Sequence, residues 1–295
     1  MTEIINKNSF DILLSEAFER PKIFQEHIND LLKGTIDKFN NNKVLKNLFS
    51  LLDLTTLHDD DYKNAIEETI KQTICNIDGE KRVVAGVCVY SNLLPILNSF
   101  KFDKNISKVV VSGGFPTAQL SLEAKLIDVN FAINNGANEI DVPINRGLFR
   151  ENKSELEHEI KSISEKIHVK PNIKFKVIIE SGELNNYKEV YEVSMIAMRN
   201  GADFIKTSTG KTSHGADIYS AAVMMIAMRN YLNEYTDRIV GFKAAGGIRT
   251  ANEALQYYAL FTYFFNENNI NKDTFRIGCS NLINDIIKRL NILNN

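Results

Sequence analysis

The feature that most constrains the fold of this chain is an alternation of eight short β-prone runs with helical stretches. Each run is apolar and is followed by turn residues and then by apolar positions at helical spacing. The runs cover residues 51–54, 83–90, 109–112, 139–144, 175–180, 203–207, 239–243 and 275–278, and the helical stretches cover residues 62–76, 121–135, 156–168, 186–199, 216–231, 252–265 and 282–293. Strands that alternate with helices pair in parallel through right-handed crossovers. Eight such units favour a closed (β/α)8 TIM barrel over an open doubly wound sheet with an added domain, which stays the alternative.

The first 47 residues have a different pattern and are predicted to form a helical extension. Apolar residues recur at helical spacing from Phe10 to Phe39, and three consecutive asparagines at positions 40–42 then indicate a turn. The β-prone runs begin after this turn. We therefore predict an N-terminal helical extension over residues 1–47 and a barrel domain over residues 48–295.

Composition and charge exclude several classes of function. The 295-residue chain has 35 Lys and Arg against 37 Asp and Glu, and this net charge of −2 argues against nucleic acid or a membrane as the main partner. The most apolar stretch, residues 221–228, is far shorter than the roughly 20 residues that span a bilayer, and the N-terminus lacks a signal-peptide core. Three cysteines, an odd number, indicate a reducing compartment. We expect a soluble cytoplasmic enzyme.

Two lysines at the ends of neighbouring runs are the strongest candidates for catalysis. In a barrel of this type the active site lies at the C-terminal ends of the strands. Alternation places Phe204 and Lys206 on one face of the sixth run, with Lys206 at its end, and Lys243 ends the seventh run. A single lysine at a strand end commonly extends to solvent or pairs with a carboxylate. Two adjacent lysines, held away from water, have lowered pKa values, and a neutral amine is a nucleophile, so we interpret the pair as catalytic.

Two aspartates are predicted to point into the barrel from other runs. Alternation directs Asp141 inward from the fourth run, because Ile140 and Val142 then face the helices. There it can transfer protons, or it can serve as a buried counter-ion for one of the lysines. Asp53 points inward from the first run, and for it we favour the counter-ion role.

Glycine-containing loops after the last three runs predict a phosphate-binding site. Glycine lets backbone N–H groups approach an anion, and Lys or Arg adds charge. The loops after strands seven and eight are where such barrels commonly bind phosphate. One glycine alone would indicate only a turn, but the three loops together favour a phosphorylated ligand. The candidate residues are Gly210, Lys211, Gly246, Gly247, Arg249, Gly278 and Ser280.

Two other motifs do not support a nucleotide or a metal site. Gly210-Lys211-Thr212 resembles the end of a P-loop, but the first glycine of that motif would fall at Ile205. The acidic run at residues 58–61 precedes Tyr62, and we interpret its aspartates as caps of a helix N-terminus. The other histidines lack the spacing of metal ligands, so we predict no metal.

Several segments resemble the deoxyribose-phosphate aldolase family, over roughly residues 48–290. Residues 204–211, FIKTSTGK, are highly specific to that family. Further matching segments are residues 52–57 (LDLTTL), 176–180 (KVIIE), 241–243 (GFK), 246–250 (GGIRT) and 275–278 (FRIG). The resemblance implies a class I aldolase on a (β/α)8 barrel that uses neither a metal nor an organic cofactor.

The resemblance also implies roles for individual residues. Lys206 matches the lysine that forms the Schiff base, Lys243 the lysine that depresses its pKa, and Asp141 the proton relay. The glycines listed above, with Lys211, Arg249 and Ser280, match residues that hold the substrate phosphate. The expected reaction is the reversible cleavage of 2-deoxy-D-ribose 5-phosphate to acetaldehyde and D-glyceraldehyde 3-phosphate.

Three residues depart from the family pattern. Ala244 stands where the family usually has proline, and we expect a looser loop after Lys243. Pro143 replaces an aliphatic residue and removes a backbone donor, so we expect a local perturbation of the fourth strand. Asn281 replaces a frequent serine near the phosphate and can still donate a hydrogen bond. None of these changes removes a catalytic group.

The expected partners are a sugar phosphate as substrate and a second copy of the chain in a homodimer. Three alternatives stay open: a Schiff-base aldolase for another phosphorylated sugar, a sugar-phosphate-binding protein without turnover, and a scaffold protein that interacts through residues 1–47.

Overall fold

Parallel strands form the centre of the molecule and close into a barrel. The computed structural model describes residues 7–77, 79–101, 103–236 and 239–293. The strands in these ranges are β1 (Leu52–Thr55), β2 (Ile74–Ile77), β3 (Glu80–Val83), β4 (Gly86–Tyr90), β5 (Ser107–Val111), β6 (Glu139–Pro143), β7 (Lys174–Ile178), β8 (Phe204–Lys206), β9 (Gly241–Ala245) and β10 (Phe275–Cys279). Within the described residues, β1 and β4–β10 make an eight-stranded barrel in chain order, and β1 pairs in parallel with both β4 and β10. The (β/α)8 prediction is confirmed.

Helices alternate with the barrel strands and cover the outside of the barrel. The helices are α1 (Lys7–Glu19), α2 (Pro21–Leu32), α3 (Thr35–Phe39), α4 (Asn42–Phe49), α5 (Lys63–Lys71), α6 (Leu94–Asn98), α7 (Leu122–Asn134), α8 (Arg146–Glu151), α9 (Lys153–His168), α10 (Tyr187–Arg199), α11 (Ile218–Tyr235), α12 (Ala251–Phe265) and α13 (Leu282–Leu293). Among the residues that the structure describes, no helix is long and apolar enough to cross a lipid bilayer.

The N-terminal helices pack against the outer helices of the barrel. Phe24 of α2 is fully buried, and its ring meets the ring of Tyr187 in α10 edge-on at 5.3 Å. The predicted asparagine turn is present, since the side chain of Asn41 accepts a hydrogen bond from the backbone N–H of Val44 and caps α4. The helical prediction is therefore confirmed from Lys7 onwards, residues 1–6 lie outside the described residues, and the domain boundary at residue 48 stays a prediction.

A β-hairpin precedes the second barrel strand, where the sequence predicted the end of a helix. The predicted helix over residues 62–76 stops at Lys71 in α5, and β2 then pairs antiparallel with β3. Gly79, with a φ of 77°, provides the left-handed backbone of the connection. The predicted run 83–90 is accordingly divided, with Val83 in β3 and the barrel strand β4 beginning at Gly86.

Neither Ala244 nor Pro143 has the structural effect that the sequence suggested. Ala244 is not in a loop, because it lies within β9 and pairs with Ile277 of β10. Pro143 pairs with Ile178 at the end of β7, and the next residue, Ile144, donates its backbone N–H to the Ile178 carbonyl. Proline is tolerated there because it is the last residue of the strand, where one missing donor does not interrupt the ladder.

Candidate active site

Lys206 and Lys243 lie side by side on β8 and β9. Lys206 ends β8, as the strand pattern predicts, whereas the prediction that Lys243 ends its strand is wrong, because β9 continues to Ala245. The two residues are direct partners in the parallel register. Both ammonium nitrogens donate to the same carboxylate oxygen, Oδ2 of Asp141, at 3.0 Å from Lys206 and 2.9 Å from Lys243. All three side chains are buried. The structure therefore brings together the three residues that the sequence assigned to catalysis.

A third lysine, which the sequence analysis did not assign to the site, shares the same carboxylate. Lys176 of β7 donates to the other oxygen of Asp141, Oδ1, at 2.9 Å. Lys176 and Asp141 are direct partners between β7 and β6. The sequence does indicate this position, because Lys176 interrupts an apolar run where strand alternation directs its side chain into the barrel.

Below these lysines, two further carboxylates and an arginine fill the base of the barrel. Asp53 of β1 forms ion pairs with Lys243, at 2.6 Å, and with Arg276 of β10. Glu139 of β6 accepts from Arg276 at 2.7 Å and forms an ion pair with Lys176. Arg276 and Glu139 were not predicted, although both interrupt apolar runs at inward positions. We call these seven buried side chains the barrel cluster: Asp53, Glu139, Asp141, Lys176, Lys206, Lys243 and Arg276.

The two catalytic candidates on β8 and β9 differ in protonation. Burial lowers the pKa of the Lys206 amine, and the charge of Lys243 adds to this effect while the Asp141 carboxylate opposes it. Burial also disfavours the Lys243 ammonium, but Asp141 and Asp53 outweigh burial and raise the pKa of Lys243. Burial opposes ionisation of Asp141 as well, yet the three lysines hold the pKa of its carboxyl well below its usual range. Lys243 is therefore a fixed cation, whereas Lys206 loses its proton more readily than an ordinary lysine.

A pocket of about 440 Å³ opens at this end of the barrel. Within the described residues, Lys206 is the one member of the barrel cluster that lines it. All the predicted phosphate residues line the same pocket: Gly210, Lys211, Gly246, Gly247, Arg249, Gly278, Ser280 and Asn281. The amine and the candidate phosphate loops thus face one space, which is large enough for a small phosphorylated molecule.

Glycine is required by conformation in the loop after β9 and by space at Gly215, in the loop after β8. Gly246 and Gly247 have φ values of 91° and 87°, in the region that other residues rarely adopt. The neighbouring loop approaches so closely that a Cβ on Gly215 would lie 2.2 Å from the Gly246 carbonyl oxygen. Ala216 donates its backbone N–H to that same oxygen at 3.0 Å. These contacts fix the Gly246 loop next to the pocket.

Cationic residues at the pocket rim can bind an anion. Lys211 is paired with Asp59 at 3.3 Å, and that carboxylate is almost fully exposed to solvent. Surface pairs of this kind contribute little stability, so the lysine can exchange its partner for a phosphate. Arg249 also lines the pocket.

Residues from the first strand and its loop line the pocket but were not predicted. They are Thr55, Leu57 and His58. The expected helix cap at residues 58–61 is wrong, because Tyr62 precedes α5 with no side-chain cap. Asp61 instead accepts from the Thr56 hydroxyl at 2.6 Å and from the His58 backbone N–H at 2.8 Å, and so fixes the turn that carries this side of the pocket.

Cys88 of β4 lies inside the barrel. It is buried against Leu57, Val109 and Val111. Burial raises the pKa of its thiol, which is therefore neutral.

The closed barrel, with a polar pocket over its strand ends and the buried Lys206 amine beside that pocket, has the architecture of TIM-barrel enzymes, whose active sites lie at this face. Residues 49–259 match the sequence model of the DeoC/LacD family aldolases. The chain belongs to this family of aldolases.

Similarity to named relatives extends over most of the chain. A Caenorhabditis elegans protein provisionally named a deoxyribose-phosphate aldolase is 33% identical over 300 residues, which cover 96% of this chain and 95% of the relative. The Homo sapiens deoxyribose-phosphate aldolase is 35% identical over 254 residues, 82% of this chain and 79% of the relative. A solved tetrameric deoxyribose phosphate aldolase from Aeropyrum pernix superposes with a TM-score of 0.67, at 22% identity, over 90% of this chain and 98% of that one. This last likeness supports the fold.

Proposed function

We propose that the protein cleaves 2-deoxy-D-ribose 5-phosphate reversibly to acetaldehyde and D-glyceraldehyde 3-phosphate through a Schiff base on Lys206. The observation that carries the proposal is the position of the Lys206 amine, with one side in the barrel cluster and the other in the pocket. The names of the human and nematode relatives support the choice of substrate.

The reaction begins with the neutral amine of Lys206. The amine adds to the C1 carbonyl of the open-chain sugar, and loss of water gives an iminium ion. The C3 hydroxyl then loses its proton, the C2–C3 bond breaks, and its electron pair moves towards the iminium nitrogen to give an enamine. D-Glyceraldehyde 3-phosphate leaves, C2 of the enamine takes a proton, and water releases acetaldehyde.

Asp141 is placed to move protons in these steps. Its Oδ2 lies 3.0 Å from the Lys206 nitrogen, which in the addition product is bonded to C1, the carbon from which the hydroxyl is lost as water. A carboxylate at this distance can transfer a proton directly or through one water. Lys243 holds the same oxygen at 2.9 Å and remains charged, which favours the neutral form of Lys206 before each turnover. For Asp53, which pairs with Lys243 and Arg276 away from the pocket, we propose a counter-ion role.

The loops across the pocket would fix the substrate by its phosphate. The backbone N–H groups at Gly246 and Gly247 and those around Ser280 approach an anion without steric hindrance. Lys211 and Arg249 supply the charge. Binding of the phosphate sets the distance between C1 and the Lys206 amine. Because the reacting atoms are then already oriented, the activation barrier for the addition is lower.

The test is reduction by borohydride in the presence of 2-deoxyribose 5-phosphate, followed by peptide mass mapping. We expect a reduced adduct on Lys206 and none in Lys206→Ala. Lys211→Ala is the matched control, since it removes a lysine of the pocket rim and should weaken binding without abolishing the adduct at saturating substrate. Binding of the sugar phosphate with no adduct on any lysine would support a binding protein without turnover instead. An adduct that forms faster with another sugar phosphate would support a different aldolase substrate. The homodimer and the cytoplasmic location stay predictions.

A further inference from the structure

The barrel cluster contains more cations than carboxylates. In the described residues its carboxylates are those of Asp53, Glu139 and Asp141, and its cations are Lys176, Lys206, Lys243 and Arg276. Every one of these side chains is less than 5% exposed. With all groups ionised, one positive charge would be left without a counter-ion among these buried side chains.

An uncompensated buried charge is costly, and a titratable group in that position becomes neutral instead. Lys206 is the cation that can do so at least cost, because it contacts a single carboxylate of the cluster, that of Asp141. In the same described set, each of the other cations contacts two or three carboxylates. The charge balance and the contacts thus select the same lysine.

Arg276 is the cation that creates this imbalance. It lies in β10 below the lysines, where its guanidinium contacts Asp53 and Glu139 and donates to the Lys272 carbonyl. A guanidinium stays charged at any relevant pH, and the two carboxylates raise its pKa further despite burial. Without Arg276 the lysines and carboxylates of the cluster would match one to one, and no charge would be left without a counter-ion.

We propose that Arg276, at the base of the barrel, is a positioning residue that keeps the Lys206 amine uncharged by occupying two of the carboxylates below it. The inference rests on the proposed role of Lys206 as the reacting amine. Arg276 does not line the active-site pocket, so its effect reaches the reaction through Asp53, Lys243 and Asp141.

Other titratable groups near Lys206 do not change this balance. Cys88 of β4 faces it, but burial keeps that thiol neutral. The residues of β5 that pack on Cys88 are Val109 and Val111, which carry no charge. On the pocket side Lys211 and Arg249 add positive charge and act in the same direction as Arg276.

The experiment measures the ionisation of Lys206 directly. Trace acetic anhydride labels lysines in proportion to their neutral fraction, and mass mapping across a pH series reports the Lys206 midpoint. We expect Arg276→Gln to move this midpoint to higher pH by about one unit or more, since a cation is lost from the cluster. Glu139→Gln should move it to lower pH, and the double variant should restore the wild-type midpoint. Arg276→Lys keeps the charge and should also stay near wild type.

The opposite directions separate an electrostatic role from a structural one. Destabilisation of the barrel base would affect both single variants alike, whereas the charge balance requires shifts of opposite sign. Equal midpoints in all variants, or shifts in one direction, would overturn the inference. If Arg276→Gln does not fold, Glu139→Gln and the double variant decide. Failure of the wild type to form a borohydride-trapped adduct would reject the proposed function, while the labelling midpoints would still test Arg276.

Discussion

Replacing Lys243 with methionine tests the electrostatic account of Lys206 most directly. Both ammonium nitrogens bond the same oxygen of Asp141, at 3.0 and 2.9 Å, so they are at most 5.9 Å apart. Two unit charges at that separation repel by about 3 kcal/mol at the effective dielectric constant of about 20 that suits protein sites. Removing the Lys243 charge should therefore raise the pKa of Lys206 and lower its neutral fraction about 100-fold at neutral pH. Methionine keeps the apolar length of the side chain.

The assay is the pH dependence of kcat/KM for cleavage of 2-deoxyribose 5-phosphate. The neutral amine is the reactive form, so activity rises with pH through the pKa of Lys206, and Lys243→Met should move that rise to higher pH. Activity at neutral pH should fall about 100-fold and recover in alkaline solution. Lys161→Met, on the exposed face of α9, is the matched control and should leave the profile unchanged. A variant that loses activity equally at every pH would refute the reasoning, because Lys243 would then act by orienting Asp141.

Three further outcomes follow from the same geometry. Gly246→Ala places a side chain at a φ of 91°, where backbone strain costs about 1–3 kcal/mol. It should raise KM for the sugar phosphate about tenfold or more. Acetaldehyde alone should still form its adduct on Lys206. Because the pKa of Lys206 is lower in the folded protein, the unfolded chain binds more protons between the folded-state pKa and the unfolded one. The free energy of unfolding, measured in urea, should therefore rise with pH across that interval, and Lys206→Met should lack the rise. Phe24→Ala removes a fully buried ring packed on Tyr187 and should lower the free energy of unfolding by about 3–5 kcal/mol. Unfolding should remain a single transition. A separate early transition would show that the N-terminal helices unfold on their own.

The barrel could be predicted from the sequence because its signal is local. Each strand is a short apolar run with its own turn residues, and a run such as residues 175–180 needs no knowledge of its neighbours to be recognised. The hairpin of β2 and β3 could not be found in this way. Its first strand follows α5 after two residues and is stabilised by antiparallel pairing across the turn at Gly79, which is a tertiary interaction.

The candidate site could be predicted only in part, for a related reason. Lys206 and Lys243 point into the barrel from neighbouring strands, so strand alternation was enough to place them, although β9 continues two residues beyond Lys243. Arg276 and Glu139 lie near the other end of the barrel. Their role depends on which side chains contact each other across the barrel interior. Alternation shows that a side chain points inward, but the pairing of charges from β6 and β10 follows only from the three-dimensional structure.

Lys206 meets two requirements that usually conflict: its amine must be buried to have a lowered pKa, and it must also be accessible to the substrate. Burial and a neighbouring cation both lower the pKa of an amine, and the barrel cluster provides both conditions for Lys206. A nucleophile must also reach its substrate, and the pocket beside Gly246 provides that access. Because Lys206 is the last residue of β8, its backbone belongs to the rigid sheet while its nitrogen lies at the boundary between cluster and pocket. Moving the lysine one position along the strand would turn it away from the barrel interior, and moving it two positions down would separate it from the pocket. We therefore expect the position of this lysine in the strand, as much as its neighbours, to determine whether the barrel can act as an aldolase.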